Sequence, residues 1–218
     1  MNPDGQWPGR LRVLPAESLA ARQRDQVCDL YHQAFPPHLR VPFGELVRRG
    51  PADLMAVGLT GGEPVAFAAM LMLRQARWTF LRYYAVAPAR RREGLGRGFW
   101  RALHPVLAEA RWPDRIVFEV EDPRDAIEDE AEHRIRTGRI AFWQACGARL
   151  LPVKCYVMPD LAGLAVPERM RLMAYDTAGA DDLQADGLAR LVTAVYAERY
   201  GLGGTDPLVV AALASLSA

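Results

Sequence analysis

Hydrophobic residues in the first third of the chain follow two periods, one helical and one alternating. Ala16 to Phe35 carries apolar residues at mostly helical spacing before Pro36-Pro37 stops the pattern. Two apolar runs flank the turn Thr60-Gly-Gly-Glu63, and a third run follows them. The predicted strands cover 53–59, 65–73 and 78–86. We therefore expect an antiparallel meander, preceded by a short strand over 12–15 and a second short helix over 43–49.

The spacing of apolar residues changes after Pro88. From Leu95 to Ala110 they recur at intervals of three or four, which predicts a helix with one apolar face. Arg115 to Glu121 then alternates as a strand does. Two strands joined through a helix form a right-handed crossover, so we expect this strand to lie parallel to the one that ends at Val86.

The remainder of the chain predicts a mixture of helices and strands. The predicted elements are a charge-dense link over 121–136, a helix from Arg139 to Cys146 that Gly147 ends, strands over 149–158 and 169–174, and a C-terminal helix that closes at Gly201. The fold class is mixed α/β (α+β), with a central sheet of about six to seven strands, antiparallel and then parallel, flanked by helices. We expect residues 1–180 to form the main domain and 181–218 a helical extension packed on it.

Composition and charge restrict the class of protein. The chain has 218 residues, 50% of them hydrophobic, and a formal net charge of +1, which favours one globular domain without nucleic-acid or membrane partners. No apolar run reaches the roughly 20 residues that span a bilayer, and the N-terminus lacks the pattern of a secretory signal. Three cysteines without C-x-x-C spacing, and histidines without ligand spacing, predict a cytoplasmic setting and no metal.

A basic, glycine-containing segment that opens the helix after Val86 carries the most informative chemistry. Its sequence is Arg91-Arg92-Glu93-Gly94-Leu95-Gly96. The first N–H groups of a helix have no intrahelical acceptor, and the helix dipole adds roughly half a positive charge there. Gly94 and Gly96 allow positive φ angles and place no Cβ between an anion and the main chain. The segment therefore suits a diphosphate.

Two other kinds of glycine-rich loop are excluded by single residues. A dinucleotide-binding G-x-G-x-x-G loop would need glycine where this chain has Phe99. A Walker A loop needs a lysine after its last glycine, and the only lysine is Lys154, far downstream in a predicted strand. Neither nicotinamide dinucleotides nor Walker-type ATP binding fits.

Val-x-Pro followed by R-x-x-G-x-G resembles the pyrophosphate-binding motif of the GNAT superfamily of N-acetyltransferases. Phe118-Glu119-Val120 resembles the Leu-Glu-Val of the family's next strand, and Ala141 to Gly147, AFWQACG, resembles its A-x-(F/Y)-Y-x-x-x-G helix. Order and spacing agree over roughly residues 10 to 175. The resemblance implies a GNAT-like fold, with residues 1–180 as an acyltransferase domain.

The resemblance also implies how acetyl-CoA would bind. Main-chain groups near Val86 would bind the pantetheine arm as an added strand, and the loop amides and arginines would hold the pyrophosphate. Phe142 and Trp143 would contact the arm or, alternatively, belong to the core. The predicted cofactor-binding residues are Ala85, Val86, Arg91, Arg92, Glu93, Gly94, Leu95, Gly96, Arg97, Phe142 and Trp143.

Acyl transfer to an amine needs a base and stabilisation of the oxyanion. Glu119 matches the glutamate that the family often uses as base, and Glu121 on the same strand face is the second candidate. A surface-facing carboxylate is the plain structural alternative. Trp143 stands where many members have a tyrosine acid, which indole cannot replace. Tyr156 is therefore the predicted acid, with Tyr83, Tyr84 or unassisted departure of the thiolate as alternatives.

The resemblance implies an N-acyltransferase that moves an acetyl group from acetyl-CoA to a primary amine in a ternary complex. Carboxylates concentrated between residues 119 and 132 suggest a cationic small-molecule or peptide acceptor, with a solvated loop as the plain alternative. A non-catalytic acyl-CoA-binding module, favoured by Trp143, and a protein that binds another phosphate stay open. The apolar tail VVAALASL could pack between subunits of a homodimer.

Overall fold

A computed structural model describes residues 11–47, 50–161, 168–176, 183 and 185–216. The strands are β1 (Arg12–Pro15), β2 (Asp53–Thr60), β3 (Glu63–Leu73), β4 (Trp78–Val86), β5 (Ile116–Glu121), β6 (Arg149–Leu150), β7 (Val157–Met158) and β8 (Glu168–Tyr175). The helices are α1 (Ala21–Ala34), α2 (Phe43–Val47), α3 (Leu95–Glu109), α4 (Glu130–Ala145), α5 (Ala185–Ala194) and α6 (Pro207–Ala214). The predicted mixed α/β class is therefore confirmed.

The strands pair in the order β1-β2-β3-β4-β5-β8-β6, and β7 pairs with β8. β1 and β2 are antiparallel, whereas β4 and β5 are parallel over 79–81 and 116–118, as the helical crossover predicted. β5 and β8 are antiparallel. The chain divides into two compact units, which are Met1–Met70 with Arg82–Trp112, and Leu71–Leu81 with Pro113–Ala218. The predicted domain limits, 1–180 and 181–218, stay a prediction.

The first unit has an aromatic core under helix α1. Tyr31 is fully buried and meets the ring of Tyr83 edge to face, with the ring centroids 5.0 Å apart. Both hydroxyls are satisfied by the connection after α1, since Tyr31 donates to the carbonyl of Val41 at 2.8 Å and Tyr83 to that of Leu39 at 3.0 Å. The buried tyrosines thereby fix the path of the chain between α1 and α2.

Helix α3 forms because its apolar residues lie on one face. Leu95, Phe99, Leu103 and Leu107 are all buried. Gly58 of β2 permits close packing, since a Cβ there would lie 3.0 Å from the ring of Phe99. The helix start is therefore fixed by packing along the length of α3, which holds the preceding loop in place.

Two predicted elements were wrong. α4 begins at Glu130, about two turns before Arg139, because Asp129 caps it and its carboxylate accepts the N–H groups of residues 131 and 132 at 3.0 Å. An ion pair one turn apart, Glu132 with Arg136 at 2.9 Å, supports the added turns. The predicted strand over 149–158 is two short strands, β6 and β7, separated by a stretch that contains Pro152.

The C-terminal segment belongs to the second unit. α5 continues into a π-helical turn over Val195–Arg199, and the chain reverses at Gly201, whose φ is 71°. The apolar tail forms α6, with Val209 and Ala212 buried and Val210 52% exposed. A homodimer through this tail stays a prediction. Within the described part of the chain, no helix is both long and apolar enough to cross a bilayer.

Candidate active site

In the first unit, the loop between β4 and α3 presents the start of a helix to solvent. Gly94 is the N-cap residue and adopts a left-handed conformation, with φ 77° and ψ 0°. It has no side chain with which to cap the helix, so the N–H groups of the first helical turn, from Leu95 to Arg97, point outward. The first helical bond joins the N–H of Gly98 to the carbonyl of Gly94 at 3.1 Å. A helix start without a side-chain cap thus lies at the predicted place, and its use as an anion site stays a prediction.

The arginines of this loop differ in their surroundings. Arg90 forms an ion pair with Glu93 at 2.8 Å, and Arg91 Nε donates weakly to the carbonyl of Val86 at 3.4 Å. Arg92 is exposed and has a φ of 66°, an uncommon conformation for a residue with a side chain. Arg97 is exposed as well. The loop can therefore present guanidinium groups to an anion in addition to its backbone amides.

Ala85 and Val86 complete strand β4 next to this loop. Ala85 is 5% exposed and lies in the aromatic core of the first unit, so only its main chain could meet a ligand. Tyr84 donates its hydroxyl to the carbonyl of Gly96 at 2.5 Å, and Tyr83 is engaged by the connection after α1. Neither of these two alternative acids presents an uncommitted hydroxyl proton.

In the second unit, Glu119 lies on β5 immediately after the residues that pair with β4. The last residue of β4 that pairs with β5 is Leu81, and β4 continues from there to Val86. β5 pairs on its other edge with β8, where Glu119 lies opposite Leu172. The side chain of Glu119 is partly buried. The backbone that carries the Glu119 carboxylate is therefore fixed by the pairing of β5 with β8.

Two tyrosine hydroxyls converge on the Glu119 carboxylate. Tyr156, fully buried, donates to Oε1, and the hydroxyl of Tyr200 lies 2.7 Å from Oε1 and 2.8 Å from Oε2. Burial raises the pKa of Glu119, although both hydroxyls and the charge of Arg199 act in the opposite direction. Burial, together with the nearby Glu119 carboxylate, raises the pKa of Tyr156 well above its ordinary value. Tyr156 therefore keeps its proton and is a weak acid.

Glu121, the second candidate base, is less available than Glu119. Its carboxylate forms an ion pair with Arg139 of α4, and the Glu121 side chain is 14% exposed. Other carboxylates of the acidic stretch also have structural partners, since Asp125 pairs with Arg169 at 3.4 Å and Asp129 caps α4. The acidic stretch is thus partly neutralised by arginines.

Trp143 is a core residue in the structure. It is 5% exposed, and its ring centroid lies 4.5 Å from that of Phe118 and 5.0 Å from that of Phe142. Phe142 is half-buried. Of the two aromatic residues predicted to contact the cofactor arm, Phe142 is therefore the more accessible.

Tyr200 is the residue that the sequence analysis missed. It lies 81 residues from Glu119 along the chain, and no local pattern links them. In the part of the chain that the structure describes, no group of His, Cys, Asp and Glu side chains is arranged to hold a metal.

The first unit also contains a cavity, at the start of α1. Its volume is about 200 Å³, and it is lined mainly by apolar side chains together with the ion pair of Arg82 and Asp53, whose atoms are 3.3 Å apart. The predicted site residues are not among those that line it. The cavity is therefore separate from the anion-binding loop.

Comparison with models of known families identifies the family of this chain. Residues 24–134, just over half of the chain, match the model of the acetyltransferase (GNAT) family. The chain belongs to the GNAT family. The matched segment contains both the loop before α3 and Glu119, whereas Tyr156 and Tyr200 lie beyond its end.

Solved structures agree with this GNAT fold. A protein of Bacteroides thetaiotaomicron assigned to the GNAT family is 21% identical, covering 89% of this chain and 99% of its own, with a TM-score of 0.65. The ribosomal-protein-S18-alanine N-acetyltransferase of Escherichia coli is 19% identical over 80% of this chain and 99% of its own, with a TM-score of 0.53.

An aminoglycoside 6'-N-acetyltransferase, solved with coenzyme A, is 15% identical over 75% of this chain and 95% of its own, with a TM-score of 0.53. Among proteins of curated function, none matches the sequence. At these identities the likeness to solved structures extends to the fold, and one of the proteins that share the fold binds coenzyme A.

Proposed function

We propose that this GNAT protein is an acetyl-CoA-dependent N-acetyltransferase that acetylates a primary amine by direct attack in a ternary complex. The observation that carries the proposal is the position of Glu119. This residue directly follows the part of β5 that pairs in parallel with β4, and its carboxylate is hydrogen-bonded to two tyrosine hydroxyls. A strand carboxylate without a functional role would usually face water or an arginine. The hydrogen-bond donors to Glu119 are instead two neutral hydroxyls, and burial raises its pKa although the charge of Arg199 acts in the opposite direction.

The cofactor would bind at the loop before α3. The outward N–H groups from Leu95 to Arg97 and the positive end of the α3 dipole suit the pyrophosphate of acetyl-CoA. Exposed Arg92 and Arg97 can add charge-assisted hydrogen bonds. The amide-rich pantetheine arm suits the main chain at the end of β4, where Arg91 Nε would have to release the carbonyl of Val86.

Glu119 would accept a proton from the amine, directly or through one water, as the amine attacks the thioester carbonyl. A carboxylate whose pKa is raised by burial is a stronger base than an ordinary glutamate, and its two hydroxyl donors favour the charged form that the base must have. The thiolate of coenzyme A would leave without a protein acid, because the nearby Tyr156 hydroxyl is bonded to Glu119 and thiols are already fairly acidic.

The acceptor in this proposal is cationic. The carboxylates between residues 119 and 132 motivate it, even though several of them pair with arginines, because charges such as those of Glu128 and Glu130 lie on exposed residues. A polyamine, an aminoglycoside or a basic peptide end would meet this description.

A non-catalytic acyl-CoA-binding module is the second candidate, and the burial of Trp143 at the position of the family's acid favours it. Turnover distinguishes the two. Thiol release from acetyl-CoA in the presence of spermidine, kanamycin or a lysine-terminated peptide supports the enzyme. Protection against thermal unfolding by acetyl-CoA without thiol release for any amine supports the module.

The cofactor site is tested by thermal-shift titration with acetyl-CoA. Gly94→Val should abolish the shift, since valine is strained at a φ of 77° and its side chain would occupy the anion site, and Gly96→Val should weaken it. Gly138→Val is the matched control, because Gly138 lies in α4 and a Cβ there meets nothing within 4 Å. Unaltered affinity in folded Gly94→Val and Gly96→Val would reject the site.

The base is tested by the pH dependence of thiol release. Because the base must be ionised and its pKa is raised, the rate of the parent should fall on the acidic side at a pH above the ordinary glutamate value of about 4.3. Glu119→Gln should lower the rate by about 10² to 10⁴-fold. Glu121→Gln serves as the neighbouring control, and an equal loss in both variants would contradict the assignment.

A further inference from the structure

The Glu119 carboxylate is reached by residues from outside the segment that matches the family. Tyr156 lies between β6 and β7, and Tyr200 follows the π-helical turn at the end of α5. Both come after residue 134, where the family match ends. The matched segment supplies the carboxylate, and the C-terminal part of the second unit supplies its hydrogen-bond donors.

The turn before Tyr200 is hydrogen-bonded to the rest of the second unit at two positions, Tyr196 and Glu198. Tyr196 exchanges hydrogen bonds with the backbone of Val157, accepting its N–H at 3.2 Å and donating to its carbonyl at 3.0 Å. The Glu198 carboxylate accepts the N–H groups of Arg74 and Gln75 at 2.7 and 3.0 Å. Tyr200 then reaches Glu119. Each of these bonds restricts the orientation of the turn that carries Tyr200.

The π-helical geometry matters to this arrangement. A π turn contains more residues than an α turn, and such turns often occur at functional sites. Arg199 at its end places its guanidinium carbon 5.0 Å from the centroid of the Tyr200 ring, a distance at which cation and ring attract each other. The Tyr200 ring is thus held by Arg199 while its hydroxyl faces Glu119.

We propose that Tyr200 and Tyr156 are positioning residues for Glu119, and that the π-helical turn after α5 supplies Tyr200 to favour the charged form of the carboxylate and to keep it in one orientation. The inference rests on the proposed function of Glu119 as base. Two donors to one carboxylate favour its charged form and restrict its rotation. The other groups that act on Glu119 are the cation of Arg199 and the more distant hydroxyl of Tyr196, while the residue opposite on β8, Leu172, is apolar.

The test is a carboxyl-carbon NMR titration of Glu119 in the full chain, assigned by comparison with Glu119→Gln, which needs no acceptor and no turnover. Tyr200→Phe and Tyr156→Phe each remove a donor to the charged form, so the Glu119 midpoint should move to higher pH, by about one pH unit. Tyr31→Phe is the matched control: it loses a buried tyrosine hydroxyl that donates to the carbonyl of Val41 in the first unit, and its Glu119 midpoint should stay with the parent.

A Glu119 midpoint in Tyr200→Phe that coincides with the parent overturns the proposal. If Tyr200→Phe does not fold, 3-fluorotyrosine incorporated at position 200 replaces it. The fluorinated hydroxyl is a stronger donor, so the midpoint should move to lower pH, and no movement again overturns the proposal.

The acidic limb of thiol release separates this inference from the proposed function. If the acidic side of the pH–rate profile moves together with the NMR midpoint in Tyr200→Phe, both the base role of Glu119 and the positioning role of Tyr200 are supported. When the midpoint moves but the limb does not, or when the parent releases no thiol with any amine of the panel, the base role fails and the hydrogen-bond control of Glu119 remains.

Discussion

Glu119 shows how burial and hydrogen bonding compete at a single residue. Burial favours the neutral carboxyl, the tyrosine hydroxyls favour the carboxylate, and the net result is a raised pKa. The sequence predicts Glu119 as a candidate base through the family motif, and it predicts the strand face of Glu119 because this residue alternates with Phe118 and Val120. Its donors do not, since Tyr156 and Tyr200 are brought to it by contacts between residues 37 and 81 positions apart.

The raised pKa of Glu119 predicts how stability depends on pH. The folded pKa lies above the unfolded one, so the contribution of this group is full below the ordinary value of about 4.3 and is lost as the pH rises through the folded pKa. The unfolding free energy of the parent should therefore fall relative to that of Glu119→Gln as the pH is raised. Urea unfolding at a series of pH values measures both free energies, and a parent that gains stability relative to Glu119→Gln as the pH rises would contradict the raised pKa.

Trp143 predicts a stability effect rather than a catalytic one. Trp143→Ala should lower the free energy of unfolding by about 3–5 kcal/mol, because a large ring packed against Phe118 leaves a cavity. Phe142→Ala, at the half-buried neighbouring position, should cost less. Chemical denaturation gives both values. A Trp143→Ala protein as stable as the parent would show that the ring is not part of the core.

At the scale of elements, strands with alternating apolar residues and the helix with a single apolar face were predictable, and α4 was not. Its first two turns, from Glu130 to Arg136, are charged on most sides and carry no apolar stripe, so a period-based prediction assigns them to a link. The signal that could have found them is the cap, Asp129, with acidic residues in the first turn. β6 and β7 could not be separated by apolar content alone, because Pro152 was the only break.

The corrected limits of α4 predict the effect of one substitution. Gly138 lies in the middle of the helix, and a Cβ there would meet nothing within 4 Å. Gly138→Ala should therefore raise the free energy of unfolding by about 0.5–1 kcal/mol, since alanine loses less conformational freedom. Gly147→Ala, at a φ of 92° and with a Cβ 3.2 Å from the Tyr175 ring, should be destabilising in the same assay. If Gly138→Ala had no effect, the helix would begin later, as the sequence suggested.

For the whole molecule, the net charge and the local charges have different consequences for the choice of acceptor. A formal net charge of +1 attracts no class of partner, so any preference for a cationic acceptor must come from the local carboxylates. Family membership and fold were within reach of the sequence because the loop, the strand of Glu119 and the aromatic helix occur in order. The acceptor was not, since it depends on which carboxylates are neutralised by arginines such as Arg139 and Arg169.

Salt dependence checks the cationic acceptor. For spermidine, kcat/KM should fall as ionic strength rises, and it should fall less for glycinamide, which carries a single positive charge. The KM for acetyl-CoA is measured under the same conditions, because screening also weakens the arginine contacts of the loop. Equal salt dependence for the two amines would remove the argument for electrostatic steering.

The π-helical turn over Val195–Arg199 exposes the protein to a particular kind of genetic change. Loss of a single codon there, such as that for Ala197, would replace the π turn by an α turn and leave one residue fewer between Tyr196 and Tyr200. The contacts of Tyr196, Glu198 and Tyr200 could then not all be kept, while the family motif and the cofactor loop stayed the same. Homologues aligned through the matched segment alone could therefore share the fold and the base yet differ in activity, and the length of this one turn is the place to look first.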